Sequence, residues 1–292
     1  MRFDAAEATL ILACAKGAPP SVIYWGAALP ENVDAMQMES LFFRQAMHGV
    51  ADVALPLSLA MEPGLGHPMM QGFAAHRAGK DWCSLFDVGK VERRPHGAKI
   101  ICRDERTRLG LAYDIDFDPA TGVLRIRTDL TNYGAAALDV TEVMTACLPV
   151  PEHMTEIIGF TGRWTQEFTQ DRVQRSAGTY LRENRSGRTS HFSYPAMLLA
   201  TPGTNESAGE AYGFHLAWSG NHRLRVDTLT DGRVLTSLGA LLLPGEVRLA
   251  PGETFASPEI VAAYSADGLS ALSRKFHEHV RTKLLRPAMR AK

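Results

Sequence analysis

Apolar and polar residues alternate along most of the chain, which is the signature of half-buried strands. The clearest stretch carries Leu109, Leu111, Tyr113, Ile115 and Phe117, with Gly110, Ala112, Asp114 and Asp116 between them. Asp118-Pro119-Ala120-Thr121-Gly122 supplies turn chemistry. Leu124, Ile126, Thr128 and Leu130 then alternate with Arg125, Arg127 and Asp129. A hairpin is predicted, with Asp114 and Asp116 facing Arg125 and Arg127 across its wet side. Asn132-Tyr133-Gly134 breaks the chain, and Leu138, Val140 and Met144 begin another strand. Further on, Tyr212, Phe214, Leu216 and Trp218 make a heavy core face, whereas Ala211, Gly213, His215 and Ala217 make a small one that suits a covering layer. More strands follow at Leu224–Thr228 and Ile260–Tyr264, separated by Asp231-Gly232 and Pro251-Gly252 turns. Many short strands punctuated by turns predict an all-β sandwich. The period changes only near the end. Leu269, Leu272, Phe276, Val280 and Leu284 recur every three or four residues, one stripe of a helix, with Ser265 or Asp267 as its cap and Pro287 as its stop.

Composition narrows the function classes. With 292 residues, 45% of them hydrophobic, the chain can bury a substantial core. Thirty-one Lys and Arg against 32 Asp and Glu leave a formal charge of -1, so there is no basic field to gather nucleic acid. The start, Met1-Arg2-Phe3-Asp4-Ala5-Ala6-Glu7, lacks the cationic opening of a signal peptide, and no apolar run is long enough to span a bilayer. A cytoplasmic protein is expected. Cys14, Cys83, Cys102 and Cys147 form no C-x-x-C pair and read as reduced, mostly buried thiols.

No metal motif survives inspection, and no cofactor is expected. Asp114-x-Asp116-x-Asp118 has Pro119 and Arg125 where a calcium loop needs Gly and Glu. His277 and His279 are two apart, on opposed sides of a helix, and read as a solvated face. Two glycine-rich stretches concentrate imidazole and guanidinium groups. One runs from Glu62 through His67 and Pro68 to His76, Arg77 and Gly79, the other from Arg185 through Ser190 and His191 to Pro195. Loops carried on a rigid sandwich commonly hold binding residues, and such donors suit sugar hydroxyls.

Several segments together resemble the N-terminal domain of glycoside hydrolase family 36, the bacterial α-galactosidases. They are Ser21-Val22-Ile23-Tyr24-Trp25-Gly26, Ser186-Gly187-Arg188-Thr189-Ser190-His191, and Gly209-Glu210-Ala211-Tyr212-Gly213-Phe214 running into Ser219-Gly220-Asn221. Leu249-Ala250-Pro251-Gly252-Glu253-Thr254-Phe255 and Gly268-Leu269 through Arg286-Pro287 follow in family order. The resemblance implies a galactose mutarotase-like β-supersandwich over residues 1–264. An amphipathic helix at 265–286 would link it to a catalytic (β/α)₈ barrel, and residues 287–292 would belong to a truncated linker. In the family the barrel supplies the two aspartates of retaining hydrolysis, and Tyr113-Asp114 is no substitute because its strand lacks the preceding lysine. The expected role is therefore noncatalytic: this chain alone would be inactive and would support its barrel, the galactoside pocket and a homo-oligomer. By position His67, His76 and Arg77 would lie near substrate, with His191 as a further candidate. The alternatives are an aldose mutarotase-like enzyme using His215 and Glu210, which odd spacing sets on opposite faces of a strand, and a carbohydrate-binding module, which needs exposed aromatic rings.

Overall fold

The computed structural model describes residues 1–41, 55–67, 71–189, 191–285 and 289. The chain opens with β1 (Arg2–Asp4), β2 (Ala8–Ala13) and β3 (Ser21–Ala27), followed by a short helix α1 (Ala35–Leu41). Then come β4 (Phe73–His76), β5 (Asp87–Arg94), β6 (Gly97–Asp104), β7 (Leu109–Phe117), β8 (Leu124–Asn132) and the long β9 (Leu138–Val150). The second half holds β10 (Glu156–Arg163), β11 (Gln166–Gln174), β12 (Gly178–Asn184), β13 (Ala196–Ala200), β14 (Ala211–Ala217), β15 (His222–Thr228) and β16 (Val234–Ala240). It closes with β17 (Val247–Leu249), β18 (Thr254–Ala256), β19 (Glu259–Ser265) and helix α2 (Gly268–His279), which runs into a π-helical turn at Val280–Leu284.

The strands make an all-β supersandwich. A ten-stranded sheet runs β11-β10-β13-β14-β19-β8-β7-β6-β5, with β18 also on β8. A six-stranded sheet runs β12-β15-β16-β9-β17, with β4 also on β9, and β1–β3 form a third, small sheet. The core lies between the two large sheets. Leu111, Tyr113, Ile115, Tyr212, Phe214 and Leu216 come from one side, and Ala146, Leu148, Leu224 and Val226 from the other. Leu10, Leu12 and Trp25 of the small sheet join them, and the Tyr212 hydroxyl donates to the Trp25 carbonyl at 2.7 Å. Among the described residues no helix is long and apolar enough to cross a membrane.

The predicted hairpin is β7–β8, with Asp114 opposite Arg127 and Asp116 opposite Arg125. The ion pairs of these residues, however, do not cross the hairpin: Arg127 pairs with Asp129 of its own strand at 3.4 Å, and the others run to further strands of the sheet. Arg94 of β5 takes Asp114 and, at 3.2 Å, Asp116, while Arg125 binds Glu259 of β19 through two hydrogen bonds of 2.9 and 2.7 Å. A hairpin inside a ten-stranded sheet has neighbours on both sides, and these compete for its charges.

The small face of β14 does lie under a second layer. Helix α2 buries Leu269 and Leu272, with Phe276 packed beside them, against Ile158, Ala200, Ala211 and Ala263. The approach is close enough that a Cβ on Gly213 would sit 3.0 Å from Phe276 and 3.1 Å from Leu272. The helix start is capped by a loop and not by its own side chains. Neither Ser265 nor Asp267 caps the helix amides; instead the Leu269 and Ser270 amides donate to the Asn205 and Glu206 carbonyls at 2.9 and 3.0 Å. Gly268 makes this possible, with φ +78 and a backbone that leaves no room for a Cβ beside Asn205 and Ala208.

Two further expectations change. His279 leaves the solvated face and is buried, with its Nδ1 3.2 Å from Asp118 of the β7–β8 turn. Trp218 lies past the end of β14 and is 45% exposed, so it does not belong to the core that Phe214 helps to form. All four cysteines are free; Cys102 and Cys147 are buried, and burial pushes the Cys147 thiol up to about 12. Pro287 and the residues after it lie outside the described residues, Met289 excepted.

Candidate functional site

The first glycine-rich stretch is several structures, not one loop. Its start is pinned by Glu62, whose buried carboxylate accepts from the Ser58 hydroxyl and, at 3.1 Å, from the Phe86 amide. Desolvation nonetheless pushes that carboxyl above its ordinary range. A 3₁₀ turn at Pro63–Leu65 follows, and His67 donates from Nε2 to the Pro56 carbonyl at 2.9 Å. Pro68 lies outside the described residues. The chain then becomes strand β4, because Phe73 and Ala75 alternate into the core while pairing along β9. His76 ends that strand; its Nδ1 accepts from the Gly79 amide at 3.2 Å and lies 3.9 Å from Asp139.

These residues do not converge. His76 sits at the Asp139 end of β9, whereas His67 lies near Asp231 and Arg233, beside the turn that pairs with the Val150 end. The two imidazoles therefore lie towards opposite ends of β9 and share no site. Burial also lowers the pKa of His67, which disfavours its charged form.

Arg77 holds a corner of the sandwich together. Its Nη1 donates to the Thr107 carbonyl at 2.6 Å and to Asp81 at 3.2 Å, and its Nη2 to the Asn132 side-chain oxygen at 2.6 Å. The guanidinium thus joins the turns after β4, β6 and β8. Beside it opens a cavity of about 250 Å³ lined by Arg103, Asp104, Glu105, Arg108, Leu109 and Tyr133. The Arg103 guanidinium lies 3.7 Å from the Tyr133 ring centre, a cation–π stack.

The second stretch is fixed to the β14–β15 turn. The Gly187 amide donates to the Asn221 side chain at 2.8 Å, and the Thr189 hydroxyl to the Trp218 carbonyl at 3.0 Å. Ser190 lies outside the described residues. His222 is buried, with Nδ1 3.1 Å from the Gly220 carbonyl, so Nδ1 carries the proton and Nε2 accepts from the Ser193 hydroxyl at 3.3 Å. Burial lowers its pKa, which disfavours the charged form. This serine–histidine contact is enclosed and has no carboxylate partner among the described residues, so it braces the turn.

An aromatic surface begins at His191. Its ring lies 4.4 Å from that of Phe192, which is 65% exposed. Tyr194 then stacks edgewise with Phe168 at 5.2 Å and Phe160 at 6.3 Å, and lies 5.7 Å from His215. Phe168 is 57% exposed and adopts φ 57, a left-handed conformation that is rare for a bulky residue. The bulge opposite Gly162 in the β10–β11 hairpin accompanies it, and Trp164 at the hairpin tip is 79% exposed. Phe160 and His215 share the outward sheet face with Ile158 and Gly213, so this surface continues the one that α2 covers. Sequence reasoning did not find Trp164 or Phe168, because the polar run Gln166–Gln174 shows no alternation and a positive φ leaves no mark on a phenylalanine. Glu210, meanwhile, pairs with His153 at 3.1 Å, at the far end of β14 from His215, so the mutarotase pair is not assembled.

A family model described as the glycosyl hydrolase family 36 N-terminal domain matches residues 18–250. An α-galactosidase from Escherichia coli is 35% identical over 269 residues, which is 91% of this chain but 37% of the relative. A bifunctional α-galactosidase/sucrose kinase from Mediterraneibacter gnavus is 32% identical over 201 residues, 67% of this chain and 21% of the relative. Among solved structures, the GH36 α-galactosidase AgaA from Geobacillus stearothermophilus, in complex with raffinose, superposes with a TM-score of 0.88 at 20% identity, over 100% of this chain and 44% of that one. The chain therefore spans well under half the length of the relatives it matches.

Proposed function

Because the chain belongs to glycosyl hydrolase family 36, as its N-terminal domain, we propose that it serves an α-galactosidase as a noncatalytic module that carries and orients the catalytic domain. The observation that carries this reading is the outward face of the ten-stranded sheet. Helix α2 covers one part, and the adjoining part exposes Phe168 beside Tyr194 and His215, with Phe192 and the hairpin-tip Trp164 also exposed in the same region of the chain. Exposed aromatic surface of this kind marks an interaction site. Its occupant, in this reading, is the catalytic domain that makes up much of the remaining length of the α-galactosidases matched.

The chemistry of the chain fits a supporting role. Retaining glycosidases need two carboxyl groups about 5 Å apart, both facing the scissile bond. Asp104 and Glu105 line the recess beside Arg77, but Asp104 is buried and accepts from the Leu85, Arg106 and Thr107 amides and the Thr107 hydroxyl. Asp114 is held by Arg94 on an outward strand face. Of the four residues expected near substrate, His191 lies on the aromatic surface and is carried forward as the candidate closest to a galactoside. His67, His76 and Arg77 act in this reading as scaffold. Homo-oligomeric assembly and a cytoplasmic setting belong to the same proposal.

The test is a replacement. The matched N-terminal segment of the E. coli α-galactosidase is exchanged for this chain, and hydrolysis of a nitrophenyl α-galactoside is followed. The chimera should turn over, while the chain alone should not. Galactose release from melibiose by the chain alone would overturn the reading.

A further inference from the structure

We propose that the cavity beside Arg77 is a hexose-binding site, in which Arg103, Arg108 and Glu105 hold the hydroxyl groups of one pyranose ring. The choice of a sugar rests on the preceding reading; the binding chemistry rests on the cavity itself.

The groups lining it divide into two sets. Asp104 is committed to the turn, since it accepts at 3.0 Å from the Leu85 amide, 2.9 Å from the Arg106 amide and 2.8 Å from the Thr107 hydroxyl. Leu109 is buried. The side chains of Arg103, Glu105 and Arg108 enter no ion pair among the described residues, although the nearby Arg77 and Arg106 are matched with Asp81 and Asp104. Arg103, Glu105 and Arg108, all solvent-exposed, thus remain to line an open recess of about 250 Å³. A sugar hydroxyl both donates and accepts, so adjacent hydroxyls can use a guanidinium and a carboxylate together. A lone oxyanion would be opposed by Glu105. The volume lies just below the ~300 Å³ at which small-molecule sites begin and suits a single ring.

The frame under these groups is built and stiff. The Tyr133 ring lies against the Gly110 backbone, where a Cβ would meet it at 2.7 Å, and Arg103 is stacked on that ring. Arg108 adopts φ 53, with its carbonyl accepting from the Tyr133 amide at 2.9 Å and from Arg77 Nη2 at 3.5 Å. A glycine would adopt that conformation without strain, yet a long cationic side chain occupies it. A rigid frame lowers the ordering cost of binding.

The test uses the chain itself, labelled with nitrogen-15 and titrated with galactose, glucose and, separately, inorganic phosphate. Saturable shifts confined to residues 103–110 and 133, with millimolar affinity for a hexose, are expected. Arg108→Gly should melt no lower than the parent, because it relieves the left-handed strain, and should weaken hexose binding at least about tenfold. Glu105→Gln should weaken it several-fold. No saturable shift with either hexose, unchanged affinity in Arg108→Gly, or binding of phosphate in place of sugar would each overturn the proposal. Failure here would leave the chimera's activity untouched. An inactive chimera with sugar binding intact would count only against the proposed function.

Discussion

Leu272 is the residue whose loss should separate helix α2 from the sandwich. It is buried against the Gly213 backbone in a cluster that does not include the main core residues. Truncating a buried leucine to alanine removes about 1.5–3 kcal/mol of burial and leaves a cavity, for a total of about 2–5 kcal/mol. A surface helix can partly collapse into the gap, so about 3 kcal/mol is the working figure. The remaining ties of the helix include Leu269, Phe276, the amides of its first turn on the Asn205 and Glu206 carbonyls, the buried His279–Asp118 contact and a Lys275–Glu7 ion pair of 2.8 Å at the surface. None of these passes through the main core, so the cost should fall on local opening and not on global unfolding.

Hydrogen exchange reads that distinction directly. In Leu272→Ala, amides of residues 268–284 should exchange roughly 150-fold faster, which is about 3 kcal/mol at 1.36 kcal/mol per factor of ten. Amides of β7 and β8 should keep their parental rates. If the strands lose protection in step with the helix, the helix and sandwich are a single cooperative unit and the separate-cluster reasoning fails. If the helix exchange is unchanged, Leu272 is not its anchor.

Other consequences are sharp enough to measure. Arg225 is fully buried and binds Asp227 at 2.7 Å and Glu142 at 3.1 Å, so Arg225→Met should cost about 3–5 kcal/mol by stranding Asp227, seen as a lower urea midpoint. The double variant Arg225→Met/Asp227→Leu should recover most of the loss; no recovery would mean that shape, not charge, governs the site. Glu62 has a folded pKa raised above 4.5 by burial, so its contribution is fully present below 4.5 and is lost as pH rises through the folded value. Glu62→Gln should therefore gain on the parent as pH climbs through that window and hold a constant lead above it; a difference that does not vary with pH would refute the assignment. Phe168→Gly should relieve about 1 kcal/mol of left-handed strain, raising the melting temperature slightly, while lowering the chimera's activity. A melting temperature that falls would show that the ring holds the hairpin and is not presented by it.

Patterns confined to one or two adjacent elements were legible in the sequence. Alternation marked β7, β8 and β14, and the three-to-four spacing of Leu269, Leu272 and Phe276 marked α2. The small residues of β14 announced a covering layer before its identity was known. Relations among distant elements were not legible. Arg77 drew attention as a loop guanidinium suited to sugars, but its partners Thr107 and Asn132 come from turns that are neighbours only once the sheet is ordered. The same holds for His279, which helical geometry sets opposite His277 but which faces inward because the β7–β8 turn brings Asp118 beneath it. Its opposition to His277 was readable; which of the two would be buried was not.

The two halves of the outward sheet face explain which part of it α2 covers. Along β14 the outward positions run Ala211, Gly213, His215 and Ala217, and their partners on β13 are Ala200, Leu198 and Ala196. Over Ala211 and Gly213 a helix can approach to van der Waals contact, as Phe276 and Leu272 do. Two residues later the His215 ring rises from the sheet beside Tyr194 and Phe168, and the same close approach is sterically closed. The helix instead runs from the Asn205–Glu206 loop past Glu7 to Asp118 of the β7–β8 turn, over the part of the face that has small residues. The aromatic half therefore cannot be an unfilled extension of the helix seat. It is a surface of different relief, to which Phe168, in a left-handed backbone conformation, contributes an exposed ring.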